Sequence, residues 1–197
     1  MKGMLKKILS IAFVCCSTLH AQDSIKLLFT YGSKPILDSE ASWFGGLHGG
    51  HVSISYNSAY ASFVPAGGVH VFAKKRHKQS AFIIEKDENF AYDTTNARYL
   101  ILTIPVSKSQ AHKVDSLLQQ RLFDVPYDYA FFGMRCASAA YEVLSNAGIY
   151  PRYSIRKMSC KYFYPKLLRK QLLKEAHAKG WHYYYRSGRK SRKWEKD

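Results

Sequence analysis

The order of two periodicities constrains this chain more than any other feature. Segments of strand character fill residues 25–104, and segments of helical spacing follow from residue 107 onward. Ile25–Tyr31 reads as an opening strand. His51–Tyr56, Tyr60–Val64, Val69–Ala73, Ala81–Glu85 and Tyr99–Ile104 show alternating or β-rich content. Pro65-Ala-Gly-Gly68 and residues 93–96 supply turns, so the spacing predicts an antiparallel meander. Ser107 with Gln110 forms a capping box ahead of Ala111, Val114, Leu117, Leu118 and Leu122, and Pro126 stops that helix. A second helix is expected over Cys136–Asn146, with Ala137, Ala140, Tyr141 and Leu144 on one face and Gly148 beyond its end. A third starts at Pro165 and carries Leu168, Leu172 and Ala176 before Gly180. Strands first and helices after argue against repeated βαβ units. They predict an α+β fold in which an antiparallel sheet packs against helices.

The first residues read differently. Lys2, Lys6 and Lys7 precede an almost uncharged run from Ile8 to Leu19, and Ala21 stands just before Gln22 and Asp23. That is the order of a cleavable export signal over residues 1–21. Its apolar run is well short of the roughly 20 residues that a spanning helix needs. Lipidation at Cys15 or Cys16 is disfavoured, because Val14 and Cys15 are poor residues for the preceding position. The expectation is an exported protein of a bacterial envelope or periplasm, with a single domain over residues 22–185.

Charge is unevenly spread. The chain carries a net +16, and residues 150–197 hold fifteen Lys or Arg against three acids. Residues 186–197 form a basic, disorder-prone tail. Behind an export signal, its expected partners are anionic lipid or wall polymers rather than nucleic acid. A solvated tail that only aids solubility is the plainer alternative. Trp181-His-Tyr-Tyr-Tyr185 beside it suits either a membrane or glycan surface or a final strand on the sheet.

The chemistry concentrates in two places. Outside the signal only Cys136 and Cys160 remain, too few for a disulfide scaffold, although one bridge between them is open. Cys136 falls in the first turn of its helix. There the helix dipole, unpaired N–H groups and neighbouring Arg135 lower a thiol pKa, and the same N–H groups can receive an oxyanion. His51 opens a strand after Gly49-Gly50, within reach of a thiol whose proton it could take. A small buried core cysteine is the plainer reading of Cys136. Tyr127, Tyr129, Phe131 and Phe132 could line a cleft or fill the core. His48 and His51 lack a matching carboxylate, so no metal is expected. His77 and His112 read as solvent-facing, and Cys160 as structural or a partner thiol.

Three pieces in this order resemble a known family: Gly50-His-Val-Ser-Ile54 opening a strand, Tyr60-Ala-Ser-Phe-Val-Pro65, and a helix led by Cys136 after Tyr127-Asp-Tyr-Ala-Phe-Phe-Gly133. Together they look like the circularly permuted papain-like cysteine hydrolases. That group includes permuted relatives of the NlpC-type peptidoglycan peptidases and the lecithin–retinol acyltransferase-like enzymes. The resemblance covers roughly residues 25–150. It implies a permuted papain-like fold, Cys136 as nucleophile, His51 as base, no cofactor, and an amide or ester bond of a peptidoglycan peptide or lipid as substrate. It also implies a third polar residue that orients the imidazole. The acyltransferase-like members carry a histidine two or three residues before the Pro, where this chain has Ser62 and Phe63, so Ser62 and His70 are the two candidates. The position before the nucleophile, often Asn in that family, is Arg135 here. Arg135 and Tyr127 are the expected oxyanion or substrate contacts. A non-catalytic envelope-binding protein on the same scaffold, docking through its basic aromatic C-terminus, is the alternative.

Overall fold

A computed structural model describes residues 23–31, 50–85 and 98–187. The expected signal, His48 with its glycine loop, and the tail from residue 188 lie outside the described residues. Among the described residues, eight strands and four helices run in the order β1 Asp23–Thr30, β2 His51–Tyr56, β3 Ala59–Pro65, β4 His70–Phe72, β5 Ser80–Glu85, β6 Tyr99–Val106, α1 Lys108–Phe123, β7 Ala130–Phe132, α2 Cys136–Asn146, α3 Ile155–Lys161, α4 Pro165–Lys179 and β8 Tyr183–Arg186. The chain is α+β, with a six-stranded antiparallel sheet ordered β5-β3-β2-β1-β6-β8.

The sheet departs from a simple meander at two points. β6 returns to pair with β1 along its whole length, from Asp23↔Val106 to Thr30↔Tyr99. Alternation explains this: Leu100, Leu102, Ile104 and Val106 are buried and face the same core as Ile25, Leu27 and Phe29. β4 leaves the sheet and pairs in parallel with β7, matching His70 to Ala130 and Phe72 to Phe132. Its Val71 and Phe72 are exposed, so no buried face holds it in the main sheet.

Local signals fix the helix ends. Ser107 Oγ accepts from the Gln110 N–H at 3.2 Å, and Gln110 Oε1 accepts from the Ser107 N–H at 3.0 Å, completing the capping box of α1. Pro165 opens α4, and Gly180 closes it in the left-handed region at φ 67°. The β2–β3 hairpin turns through Asn57 and Ser58, both with positive φ, as a tight two-residue hairpin requires.

α2 differs from the one-sided helix that its spacing suggests. Every residue from Cys136 to Ser145 is buried. The reason is its place: β2, β3, α1, α3 and α4 all pack on it. Its three alanines, Ala137, Ala139 and Ala140, let neighbours approach closely. Its serines satisfy themselves, with Ser138 Oγ donating to the Arg135 carbonyl at 3.0 Å and Ser145 Oγ to the Glu142 carbonyl at 2.9 Å. No helix among the described residues is long and apolar enough to cross a membrane.

Candidate active site

The buried helix delivers a thiol to the start of β2, an interior strand of the sheet. β7 ends at Phe132, and Gly133 and Met134 lead to Arg135, the extended residue that caps α2. The Arg135 N–H donates to Ser138 Oγ at 2.8 Å, which pins the first turn and sets Cys136 as the first helical residue. Gly133 is required for the approach. A Cβ there would lie 3.0 Å from the Ala130 Cβ and 3.4 Å from the Ala73 Cβ. The N–H groups of Cys136 and Ala137 have no carbonyl partner within the helix, so the positive end of the helix points at the sulfur's surroundings.

His51 arrives from the sheet. Gly50 takes φ 92°, a conformation that side chains rarely adopt, and hands the chain into β2, where His51 pairs with Thr30. Because α2 packs on β2, the imidazole and the thiol meet. Burial is the largest influence on the Cys136 thiol and raises its pKa. It is overcome by the hydrogen bond to His51, the His51 charge, the Arg135 charge and the Val52 backbone N–H. The net direction is down, so the thiol gives up its proton more readily than an ordinary cysteine.

Arg135 is 2% exposed. Its guanidinium lies 4.6 Å from the centre of the Phe163 ring, 5.4 Å from Tyr164 and 5.6 Å from Phe131. An aromatic cage thus carries a buried cation next to the Cys136 thiol. Tyr129 completes the group. Burial and then the negative charge of Cys136 push its hydroxyl well above the usual tyrosine range, and it hydrogen-bonds both Cys136 and Arg135. It therefore stays protonated and can donate to the sulfur.

The remaining expected residues lie in other surroundings. Ser62 is buried and pairs with Ser53, two residues along from His51, so it shares the His51 face of the sheet. His70 lies on β4, and its Nδ1 stands 2.6 Å from Asp128 Oδ2. The Tyr127 hydroxyl donates to Glu142 Oε2 at 3.3 Å, in a buried network where Arg121 also reaches Glu142 at 2.8 Å. Cys136 and Cys160 are both free, the first buried and the second exposed. Cys136, His51 and Arg135 are thus brought together, while His70 and Tyr127 have their polar atoms committed elsewhere.

Sequence reasoning gave no site role to two residues. Tyr129 was open between cleft and core, and Asp128 drew no attention. The usable signal for Asp128 was a carboxylate between two aromatic residues in an apolar run, since buried carboxylates require partners. A separate cleft of about 390 Å³, lined by Asp23, Ser55, Asn57, Lys108, His112 and Asp115, lies at the Tyr56 end of β2, away from the thiol. No family of known proteins, no curated protein and no solved structure matches the chain.

Proposed function

We propose that this protein is an exported cysteine hydrolase or acyltransferase acting on an amide or ester bond of an envelope substrate, a peptidoglycan peptide or a lipid, on a permuted papain-like scaffold. The observation that carries the reading is the Cys136 thiol, hydrogen-bonded to His51 at the first turn of a buried helix, with its pKa held below the ordinary thiol value. The order of a His strand ahead of a Cys helix supports the permuted scaffold.

In the first half-reaction His51 takes the thiol proton and Cys136 Sγ attacks the substrate carbonyl. The carbonyl π pair becomes an oxyanion, which the N–H groups at the start of α2 are placed to receive. Collapse of the intermediate restores the carbonyl and expels the amine or alcohol, which leaves with the proton held on His51. A thioester on Cys136 remains. Water or a second acceptor then loses a proton to His51 and attacks the thioester, and Cys136 leaves as thiolate. Arg135 and Tyr129 stabilise the sulfur anion at both ends of the cycle. Ser62, on the His51 face, is the better placed of the two candidate orienting residues, because the His70 ring is held by Asp128.

The test is covalent. The protein is incubated with a small activated ester and with a peptidoglycan stem peptide, quenched in acid, and read by peptide mass spectrometry. A thioester confined to Cys136, absent from a Cys136→Ala variant, is the expected result. Turnover without such an adduct, or turnover that survives Cys136→Ala, would sink the reading.

A further inference from the structure

We propose that β4, β7 and the basic loop after β4 form a docking surface for an anionic phospholipid bilayer. This surface would seat the Cys136 site at the membrane. The inference rests on the proposed envelope location and narrows the substrate class toward lipid.

The apolar part is a small spur. Val71 is 57% exposed, Phe72 69% and Phe132 59%. The Phe72 and Phe132 rings stack with centroids 5.5 Å apart across the parallel pairing of β4 and β7. From Phe132 the contacts continue inward to Phe131 at 4.8 Å and Phe163 at 5.4 Å, and Phe163 lies under Arg135. The exposed aromatics are thus the outer end of a ring chain that finishes beside the nucleophile.

The polar part follows directly in the chain. Lys74, Lys75, Arg76, His77 and Lys78 are all exposed. Among the described residues Lys74, Lys75 and Arg76 have no acidic side chain against them, while Lys78 reaches the Asp124 carboxylate at 3.7 Å. The loop is held in place from below. Asp128 accepts the Lys74 N–H at 2.9 Å, the Gln79 N–H at 2.8 Å and the His70 ring at 2.6 Å. One buried carboxylate therefore anchors both ends of the basic loop to β4, and Lys74, Lys75 and Arg76 stay exposed.

Charge complementarity and area choose the occupant. Exposed phenylalanine rings beside exposed cations fit a bilayer, whose acyl boundary takes the rings and whose phosphates take the cations. Three side chains offer roughly 300 Å² of apolar surface, against the ~800 Å² per partner of a stable protein interface. Each cation near an anionic membrane surface is worth about fivefold in binding.

The experiment is sedimentation of the full chain with vesicles, comparing pure phosphatidylcholine with phosphatidylcholine containing phosphatidylglycerol. The wild type is expected to prefer the anionic vesicles. Lys74→Gln/Lys75→Gln/Arg76→Gln and, separately, Phe72→Ser/Phe132→Ser should each weaken that binding about tenfold or more. Removing the same kind of charge from α1, in Lys108→Gln/Lys113→Gln, should leave it unchanged. Spur and loop variants that bind like the wild type would overturn the proposal, as would equal binding to both vesicle types. A dimer that dissociates in Phe72→Ser/Phe132→Ser without a change in vesicle binding would overturn it in favour of a second copy of the chain. Iodoacetamide alkylation of Cys136 in each variant reports the site separately. Docking can therefore fail while the Cys136–His51 reading stands, and Cys136→Ala should bind vesicles as the wild type does.

Discussion

The guanidinium of Arg135 lies 4.6 Å from the centre of the Phe163 ring, while its own backbone caps the helix that begins with Cys136. A buried cation held by aromatic faces keeps its charge. That charge acts on the sulfur. Arg135→Met keeps much of the packing volume and removes the cation. The expected outcome is an upward move of the Cys136 thiol, read as a shift of the alkylation–pH profile toward higher pH. A profile identical to the wild type would show that the Arg135 charge does not act on the sulfur.

His51→Ala tests the partner directly. In the wild type the Cys136 thiol is held below its ordinary value, so alkylation by iodoacetamide should reach its plateau at lower pH than for a free thiol, which titrates near 8.5. The variant loses the hydrogen bond and the imidazolium charge, and burial remains to push the thiol up. Reactivity at neutral pH should fall and the profile move to higher pH. Turnover of any ester or amide substrate should drop by about 10²–10⁴-fold, the usual share of a general base. An ordinary, His51-indifferent thiol would leave the non-catalytic alternative standing.

Tyr129→Phe separates chemistry from packing. The ring packs 5.1 Å from Phe63 and stays in place in the variant, so stability should fall only by about 1–2 kcal/mol, for the lost bonds to Cys136 and Arg135. The hydroxyl that bonds Cys136 is lost. A group aimed at a reacting anion is commonly worth about a hundredfold in kcat, and a loss of that order with little change in KM is expected. A purely structural Tyr129 would show the reverse pattern, with stability lost and kcat kept. The comparison is made by urea unfolding alongside steady-state kinetics.

Much of the architecture was legible because local chemistry and tertiary structure agree. The Ser107–Gln110 box, Pro165, Gly148 and Gly180 mark ends that the structure keeps, and the His51 and Cys136 elements begin at the residues that the spacing indicates. The alternation of β6 predicts a strand but not its neighbour, because pairing with β1 is a long-range choice made by the shared core face. β4 and β7 were not legible as a pair. Each is three residues long, and the register joining His70 to Ala130 has no local signature. α3 was missed because seven residues carry too few turns for a period to emerge. At the site, Cys136, His51 and Arg135 could be singled out from helix-start and strand-edge chemistry. Phe163 and Tyr164 could not, since their role exists only once the turn ahead of α4 lies against Arg135.

Asp128 supplies the clearest dependence on pH. Burial opposes its charge, but the Lys74 and Gln79 N–H groups and the His70 ring together hold its carboxyl below the ordinary value. A carboxylate with a lowered folded pKa stabilises the fold fully above the unfolded value, about 3.9, and that contribution is lost as pH falls through the folded value. Asp128→Asn keeps the shape but offers one acceptor oxygen where the carboxylate offers two, and it carries no charge. Near neutral pH the variant should be less stable by about 2 kcal/mol, the scale of hydrogen bonds to a charged group. The gap should narrow in acid, because the wild type then loses the same charge. Urea unfolding of both proteins from pH 7 downward gives the comparison. A gap that stays constant into acid would mean that Asp128 acts by shape alone and that its charge does not hold the basic loop.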